Sequence, residues 1–225
     1  KNGDGFKMKK VKKIVIYGDS LSTGTHGEGG YEGFLKKTFQ AEIVNYAVGS
    51  SGLSFASPNN AASILIEPQN IPEDADVVFM WHGTNDWYWG CPIGNIEDET
   101  PDTFYGAIKT AVRCIRKKVP DAVLIWASPL FRLEKPDGMG EEGAAYQTKN
   151  KVGFTLEAYY DAVIRAGIYY GFPVIDMRRF TGIHEENHEL YLEDKVHPNR
   201  AGYEKIERVL EKGMKEILHY AGYEV

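Results

Sequence analysis

The sequence predicts an α/β protein: a three-layer α/β/α sandwich with a central parallel sheet. Two observations support this fold class. Five apolar runs rich in β-branched residues are spaced along the chain, and segments with helical periodicity separate them. The runs are nearly continuous, as is typical of strands that are covered on both faces. Strands and helices that alternate in this way form right-handed βαβ units, with helices on both sides of the sheet.

The predicted elements follow in chain order. The five strands are expected at residues 13–18, 41–47, 76–83, 122–129 and 172–177. Apolar residues at helical spacing predict helices over 31–39, 101–118 and 145–170, and a last helix from Asn199 onward. Asn199 is a good N-cap residue and follows a proline, which supports a helix start there. The least regular stretches are 84–100 and 129–144, and we expect them to be loops.

The length of 225 residues is that of one α/β domain. We expect residues 13–225 to form that domain and residues 1–12 to be an N-terminal extension. The extension has no apolar segment of a signal peptide, so the chain as written is expected to be cytoplasmic. Met8 is a candidate natural start, in which case residues 1–7 derive from expression. A leader removed from a secreted precursor would leave the same sequence.

Composition and charge exclude several classes of function. The chain is 43% hydrophobic and 26% charged, and no stretch approaches the roughly 18 apolar residues of a membrane span. Its net charge of -6 provides no field that attracts nucleic acid, which we do not expect as a partner. Cys91 and Cys114 are expected to be free thiols. The oligomeric state is left open.

Polar residues follow the predicted strands at the edge where open parallel sheets bind ligands. Ser20 follows the first strand, and Asp194 and His197 lie three residues apart in a loop after the last strand. A serine hydroxyl needs an imidazole to take its proton, and the imidazole needs an acceptor that fixes its tautomer. In a tight loop Asp194 can accept from Nδ1 of His197 and leave Nε2 facing Ser20. The spacing therefore predicts a nucleophilic serine.

Donors for a negatively charged oxygen are expected at the same edge. They are the backbone N–H of Ser20, the N–H groups around Gly49 and Ser50, and the side-chain amide of Asn85. Each such donor typically stabilises the oxyanion of a tetrahedral intermediate by about 3 kcal/mol. The predicted chemistry is attack on a carbonyl carbon.

Four segments at these strand ends resemble the four blocks of the SGNH hydrolases, also called GDSL esterases and lipases. The segments are "GDSLS" at 18–22, "NYAVGSSG" at 45–52, "GTND" at 83–86 and "DKVHPNRAG" at 194–202. They occur in the family's order. The resemblance implies a flavodoxin-like sandwich and hydrolysis of carboxylic esters with no metal or other cofactor. The roles it implies are nucleophile for Ser20, general base and acid for His197, orienting carboxylate for Asp194 and oxyanion donor for Asn85.

One position departs from the family pattern. The glycine that usually stands five residues after the asparagine of the second block is Ser50 in this sequence. Gly49 precedes it, and either residue can donate a backbone N–H to the oxyanion. The sequence leaves this choice open.

Other polar and aromatic residues near the blocks are expected to brace loops, line the substrate site or lie in solvent. Asp19 and Asp86 are expected to hydrogen-bond backbone groups of neighbouring loops. His82 and the aromatic segment after the third strand are expected to line the substrate site, and this set is His82, Trp87, Tyr88 and Trp89. The other histidines are expected to be solvated, and they are His26, His184, His188 and His219.

These features predict a serine esterase for a small-molecule or carbohydrate ester, with short acyl groups such as acetyl favoured because no long apolar lid is present. Three alternatives stay open. The first is a lysophospholipase or thioesterase for longer acyl chains. The second is a metal-dependent phosphoesterase whose ion would lie among Asp19, Asp86, Asp194 and His197. The third is a non-catalytic carbohydrate-binding protein.

Overall fold

In the computed structural model, which describes residues 7–225, a five-stranded parallel sheet lies between two layers of helices. The strands in chain order are β1 Lys9–Lys10, β2 Lys13–Gly18, β3 Glu42–Asn45, β4 Val77–Trp81, β5 Val123–Ala127, β6 Val174–Ile175 and β7 Tyr223–Glu224. The helices are α1 Glu32–Phe39, α2 Ser63–Ile66, α3 Thr84–Trp89, α4 Phe104–Lys118, α5 Leu156–Tyr170, α6 Met177–Thr181, α7 His188–Tyr191 and α8 Arg200–Tyr220. Pro68–Asn70 adds one turn of 3-10 helix.

The strand order of the central sheet is β3-β2-β4-β5-β6, and all neighbours are parallel. This is the flavodoxin-like order, in which the chain moves first to one side of the starting strand and then to the other. The switch falls between β2 and β4, whose last residues, Gly18 and Trp81, are paired. A ligand crevice is therefore expected outside the carboxyl ends of these two strands.

Both faces of the sheet are apolar, which explains the continuous runs in the sequence. Val15 and Tyr17 of β2 face one core, which α4 and α5 complete. Ile14 and Ile16, on the opposite face, join a second core that contains residues of α1 and α8. Because successive side chains of a strand point to opposite faces, a strand covered on both sides must be apolar at every position. The predicted three-layer sandwich is confirmed.

Three predicted elements differ from the structure. The strand predicted over 172–177 contains only Val174–Ile175, because Met177 already begins α6. The helix predicted over 145–170 begins only at Leu156. In the preceding turn, Oδ1 of Asn150 accepts from the N–H groups of Val152 and Phe154, and Gly153 has a φ of 87°, which helical backbone does not allow. The stretch expected to be a loop from residue 84 instead begins with α3.

The N-terminal extension takes part in a small second sheet. Lys9–Lys10 pairs in parallel with Tyr223–Glu224, a pairing between two short strands that the sequence pattern did not predict. Residues 1–6 of the predicted extension lie outside the described residues. No helix in residues 7–225 is both long and apolar enough to cross a bilayer.

Candidate active site

The Gly-Asp-Ser turn presents Ser20 at the carboxyl end of β2. The N–H of Ser22 donates to the carbonyl of Asp19 at 2.9 Å, and the N–H of Leu21 donates to Oδ1 of Asp19 at 3.0 Å. Gly18 is required because a Cβ there would lie 2.6 Å from the hydroxyl of Ser22. Asp19 therefore braces its own turn, whereas the sequence predicted hydrogen bonds to neighbouring loops.

The loop after α7 brings Asp194 and His197 to Ser20. Oδ1 of Asp194 accepts from the backbone N–H of His197 at 2.7 Å and from that of Val196 at 3.1 Å. Oδ2 of Asp194 lies 2.6 Å from Nδ1 of His197, and Nε2 of His197 lies 2.8 Å from Oγ of Ser20. Because a carboxylate only accepts, Nδ1 carries the proton and Nε2 is free to accept from the serine.

The ends of this loop are fixed by its flanking elements. Lys195 turns the chain with a φ of 70°, a left-handed conformation that few residues other than glycine adopt. Oδ1 of Asn199 accepts from the N–H of Gly202 at 3.0 Å and caps α8, as the sequence predicted. Gly202 passes close to the loop, because a Cβ there would lie 2.3 Å from the carbonyl oxygen of Tyr191.

The surroundings of Asp194 and His197 favour an ionised carboxylate beside a neutral imidazole. Burial lowers the pKa of His197, the Asp194 carboxylate partly opposes this, and neighbouring His26 and Arg132 lower it further. Burial alone raises the pKa of Asp194, but its hydrogen bonds with His197 outweigh that effect and keep it below the usual value. At neutral pH the pair is therefore a carboxylate and a neutral base.

A cavity of about 380 Å³ opens over Ser20 and is lined by two of the other expected oxyanion donors, Ser50 and Asn85. Nδ2 of Asn85 also donates to the carbonyl of Ser51 at 3.1 Å. Gly49 lies outside the lining, and its carbonyl accepts from Asn59 at 2.9 Å. Of the two residues that the sequence left open, Ser50 is the one at the cavity.

Ser50 adopts a φ of 61°, the left-handed conformation that glycine tolerates best. The usual glycine of the second block is thus replaced by a serine in a backbone conformation that still suits glycine. Nε1 of Trp89 donates to the Ser50 carbonyl at 3.3 Å and helps to hold this turn.

Asp86 is buried beneath the site and braces the second block. Its Oδ2 accepts from the N–H of Leu53 at 3.0 Å, and its Oδ1 accepts from the N–H of Ser54 at 2.8 Å. Burial raises the pKa of Asp86 to about 6 and that of Asp19 to about 7, although backbone hydrogen bonds oppose both shifts. Asp86 accepts from backbone groups of a neighbouring segment, as expected from the sequence, whereas Asp19 accepts from Leu21 of its own turn.

The aromatic segment divides between the cavity and the core. Tyr88 and Trp89 line the cavity. Trp87 and His82 were expected to line it as well, but the structure places both outside the lining, in buried positions. For Trp87 the reason is that residues 84–89 form α3, whose turn of about 100° per residue directs this side chain into the core beside α4 and α5. His82 directly follows β4, which is buried at every position. Burial lowers the pKa of His82 to about 3, which keeps this side chain neutral.

Two cavity residues that follow β5, Arg132 and Glu134, were not predicted from the sequence. Arg132 is buried at the cavity, donates to Oγ1 of Thr84 at 2.9 Å and pairs with Glu134. Its guanidinium lies about 5.5 Å from the ring of Tyr88. Both residues lie past the end of a strand, at the ligand edge, and that position is the signal that would have selected them.

His26 also differs from the prediction that it is solvated. Instead of being a solvated side chain, it stacks on His197, with ring centroids 3.7 Å apart and planes inclined by 10°. Within the described residues, His26, Asp194 and His197 have potential metal-ligand atoms within 4.8 Å of one another. However, two parallel stacked rings do not direct their in-plane nitrogen lone pairs at one ion, so this arrangement fits stacking better than coordination.

A larger groove, of about 510 Å³, runs between α8 and the edge strand β6 and contains none of these residues. Its walls include Lys205, Arg208 and Lys212 of α8. It offers no nucleophile with an adjacent base, so the smaller cavity over Ser20 is the candidate active site.

Comparison with known proteins agrees with this architecture. A model of the GDSL-like Lipase/Acylhydrolase family matches residues 16–205. No curated protein matches the sequence.

Solved structures share the fold over nearly their whole length. A protein from Lactobacillus plantarum is 24% identical, with a TM-score of 0.79 and coverage of 92% of this chain and 98% of that one. A protein described as a possible lipase from Chitinophaga pinensis is 22% identical, with a TM-score of 0.70 and coverage of 91% and 98%. The lipase/acylhydrolase from Enterococcus faecalis is 17% identical, with a TM-score of 0.62 and coverage of 91% and 96%.

Proposed function

This chain belongs to the GDSL-like lipase/acylhydrolase family, and we propose that it is a serine esterase that hydrolyses short acyl esters, above all acetyl esters of carbohydrates. The observation that carries the proposal is the hydrogen-bonded series from Asp194 through His197 to Ser20, which ends at a cavity. A nucleophile, its base and the orienting acceptor of that base are the three parts that serine catalysis requires.

The reaction follows from these positions. Oγ of Ser20 attacks the ester carbonyl while Nε2 of His197 takes the hydroxyl proton, and the Asp194 carboxylate stabilises the imidazolium. The backbone N–H groups of Ser20 and Ser50 and the amide of Asn85 donate to the oxyanion. His197 then gives its proton to the alcohol oxygen as the C–O bond breaks, which leaves an acylated serine. Water, activated by His197, releases the acid in the same way.

The size and lining of the cavity support a small, polar substrate. A volume of about 380 Å³ is at the low end for ligand sites. The lining combines the aromatic rings of Tyr88 and Trp89 with the charged pair of Arg132 and Glu134. Aromatic faces pack against sugar rings, and the charged pair can hydrogen-bond hydroxyl groups, so an acetylated sugar suits this mixture better than a long acyl chain.

Acyl-chain selectivity tests the proposal. We expect hydrolysis of p-nitrophenyl acetate to exceed that of the butyrate, and the butyrate that of the octanoate, with no loss of activity in a chelator. A rise toward octanoate would instead support a lysophospholipase or thioesterase. Inhibition by the chelator would support a metal-dependent phosphoesterase, and no hydrolysis of any ester would support a binding protein.

Recognition of the alcohol part is tested with a sugar acetate. Tyr88→Ala should raise KM for an acetylated monosaccharide several-fold and leave KM for ethyl acetate nearly unchanged, because the sugar is expected to reach the ring and the small ethyl group is not. Tyr169→Ala is the matched control, since Tyr169 is 56% exposed on α5 and lies outside the cavity lining. An equal change for both substrates would argue against sugar recognition by Tyr88.

A further inference from the structure

The glycine-rich loop between β2 and α1 holds His26 in a fixed position over the site. Gly27 has a φ of 55°, and a Cβ there would lie 2.1 Å from the ring of Tyr203, so the loop packs closely on α8. Arg200 donates to the carbonyl oxygens of Gly27 and Gly30. The backbone that follows His26 is therefore anchored to α8, the helix that follows the loop of His197.

Two stacked imidazoles are each held by a carboxylate from one short loop. Nδ1 of His26 pairs with Glu193, and Nδ1 of His197 pairs with Asp194. The rings of His26 and His197 lie 3.7 Å apart and are nearly parallel. Consecutive carboxylates thus fix two rings face to face, although only one of these rings reaches Ser20.

We propose that His26, held by Glu193, is a positioning residue that keeps the ring of His197 oriented toward Ser20 and keeps that ring neutral until it takes the serine proton. This inference rests on the proposed function, because it assigns His26 a task in the same reaction. The parallel ring covers one face of His197 and restricts its rotation about χ2, so that Nε2 stays in line with the hydroxyl.

The second effect is electrostatic. Two imidazoles in contact cannot both carry a proton without strong repulsion. His26 lies beside the Glu193 carboxylate, and His197 is more deeply buried, with a side chain 19% exposed against 26% for His26. The stacked His26 ring lowers the pKa of His197, so the base remains neutral at more acidic pH.

Other charged and titratable groups also face this pair of rings. From the loop of His197 these are Glu193 and Asp194, from the segment after β5 Arg132 and Glu134, and from α8 Tyr203. Arg132 acts on His197 in the same direction as His26, and Asp194 acts in the opposite direction. A change at His26 should therefore move the titration of His197 without removing either of these other influences.

The test is an NMR titration of the ring C–H signal of His197 in the full chain, assigned by its loss in His197→Gln. His26→Phe keeps a flat ring but removes the charge, and we expect the midpoint of His197 to move to higher pH. His219→Phe, at an exposed position near the end of α8, should leave it unchanged. An identical His197 midpoint in wild type, His26→Phe and His26→Ala would overturn the electrostatic part of the proposal.

Steady-state kinetics test the positioning part. Above the midpoints, His26→Ala should lower kcat for p-nitrophenyl acetate roughly tenfold with little change in KM, as expected when a catalytic base is misaligned. His26→Phe should lose less kcat, because its ring still covers His197. A wild-type kcat in His26→Ala would contradict positioning. Absence of esterase activity in the wild type would reject the proposed function, and the NMR titration would still decide whether the two imidazoles are coupled.

Discussion

The loop that presents Ser20 and the loop that presents His197 are held by different means. Asp19 and Leu21, on either side of the serine, are almost completely buried, and Tyr203 of α8 donates to the carbonyl of Leu21 at 2.9 Å. In the other loop, the Asp194 side chain is 47% exposed, and it hydrogen-bonds to Val196 and His197, which lie two and three residues further along the chain. The nucleophile is thus fixed by the core, whereas the loop of its base is held largely by local hydrogen bonds and His26 stacks on the ring from another loop.

Because the two loops are held by different means, substitutions in them should affect stability and activity to different extents. Changes in the exposed loop should affect the reaction and leave the fold nearly intact. Changes beside the serine should also alter the free energy of unfolding, because they act on buried groups.

The sharpest test of the exposed loop is Asp194→Asn. Its Oδ1 can still accept from the backbone N–H groups of Val196 and His197, so the melting temperature should change little. Its amide would face Nδ1 of His197 and favour the wrong tautomer, which should lower kcat by about 10⁴-fold. Thermal unfolding together with kcat measures both effects. A large loss of stability would show that this loop is not held locally in the way described.

Asn85→Ala tests a donor that lies between the two loops. Removal of one oxyanion donor should reduce kcat about 100-fold with little change in KM. Steady-state kinetics on p-nitrophenyl acetate provide the measurement. A change in KM alone would make Asn85 a residue that binds the substrate and does not stabilise the transition state.

Asp19→Asn tests the buried loop. Burial raises the pKa of Asp19 to about 7 in the folded chain, whereas the unfolded chain releases this proton near pH 4. The folded state therefore binds the extra proton between these values, and stability falls as the pH rises from about 4 to about 7. In Asp19→Asn this fall should be smaller by about 4 kcal/mol. Urea unfolding from pH 4 to pH 8 measures it, and an unchanged slope would contradict the assignment.

Ser50→Gly should produce the smallest effect. The left-handed backbone of Ser50 costs about 1 to 2 kcal/mol for a residue with a Cβ. Glycine removes that cost, while its greater freedom in the unfolded chain offsets part of the gain. We expect a slightly higher melting temperature with kcat kept within a few-fold. A lower melting temperature would mean that the serine hydroxyl contributes more than the strain costs.

The same contrast explains what the sequence could and could not predict. Asp194 and His197 lie three residues apart, so their pairing was readable from local spacing. The sandwich was readable because strands covered on both faces must be apolar throughout, and the family resemblance is confirmed by the match over residues 16–205. The contact of His26 with His197 joins residues 171 positions apart through the glycine-rich loop that carries His26 and the loop that carries His197, and no periodic pattern encodes it.

The sequence also did not predict the directions of the side chains in the aromatic segment 87–89. Trp87, Tyr88 and Trp89 are adjacent in the chain and were expected to share one role. Because they lie on a helix, Trp87 packs in the core while its two neighbours line the cavity. The start of α5 at Leu156 also depends on a side chain. Oδ1 of Asn150 accepts from backbone N–H groups that would otherwise donate within a longer helix.

The central claim is that Ser20 is a nucleophile activated by His197. Intact-protein mass spectrometry after treatment with an organophosphonate ester tests it most directly, with Ser20→Ala as the matched variant. We expect one adduct, located on Ser20, together with loss of ester hydrolysis. We expect no adduct in Ser20→Ala, which should melt at nearly the wild-type temperature. An unlabelled wild-type protein, or a Ser20→Ala variant that is still labelled and active, would contradict a nucleophilic role for Ser20.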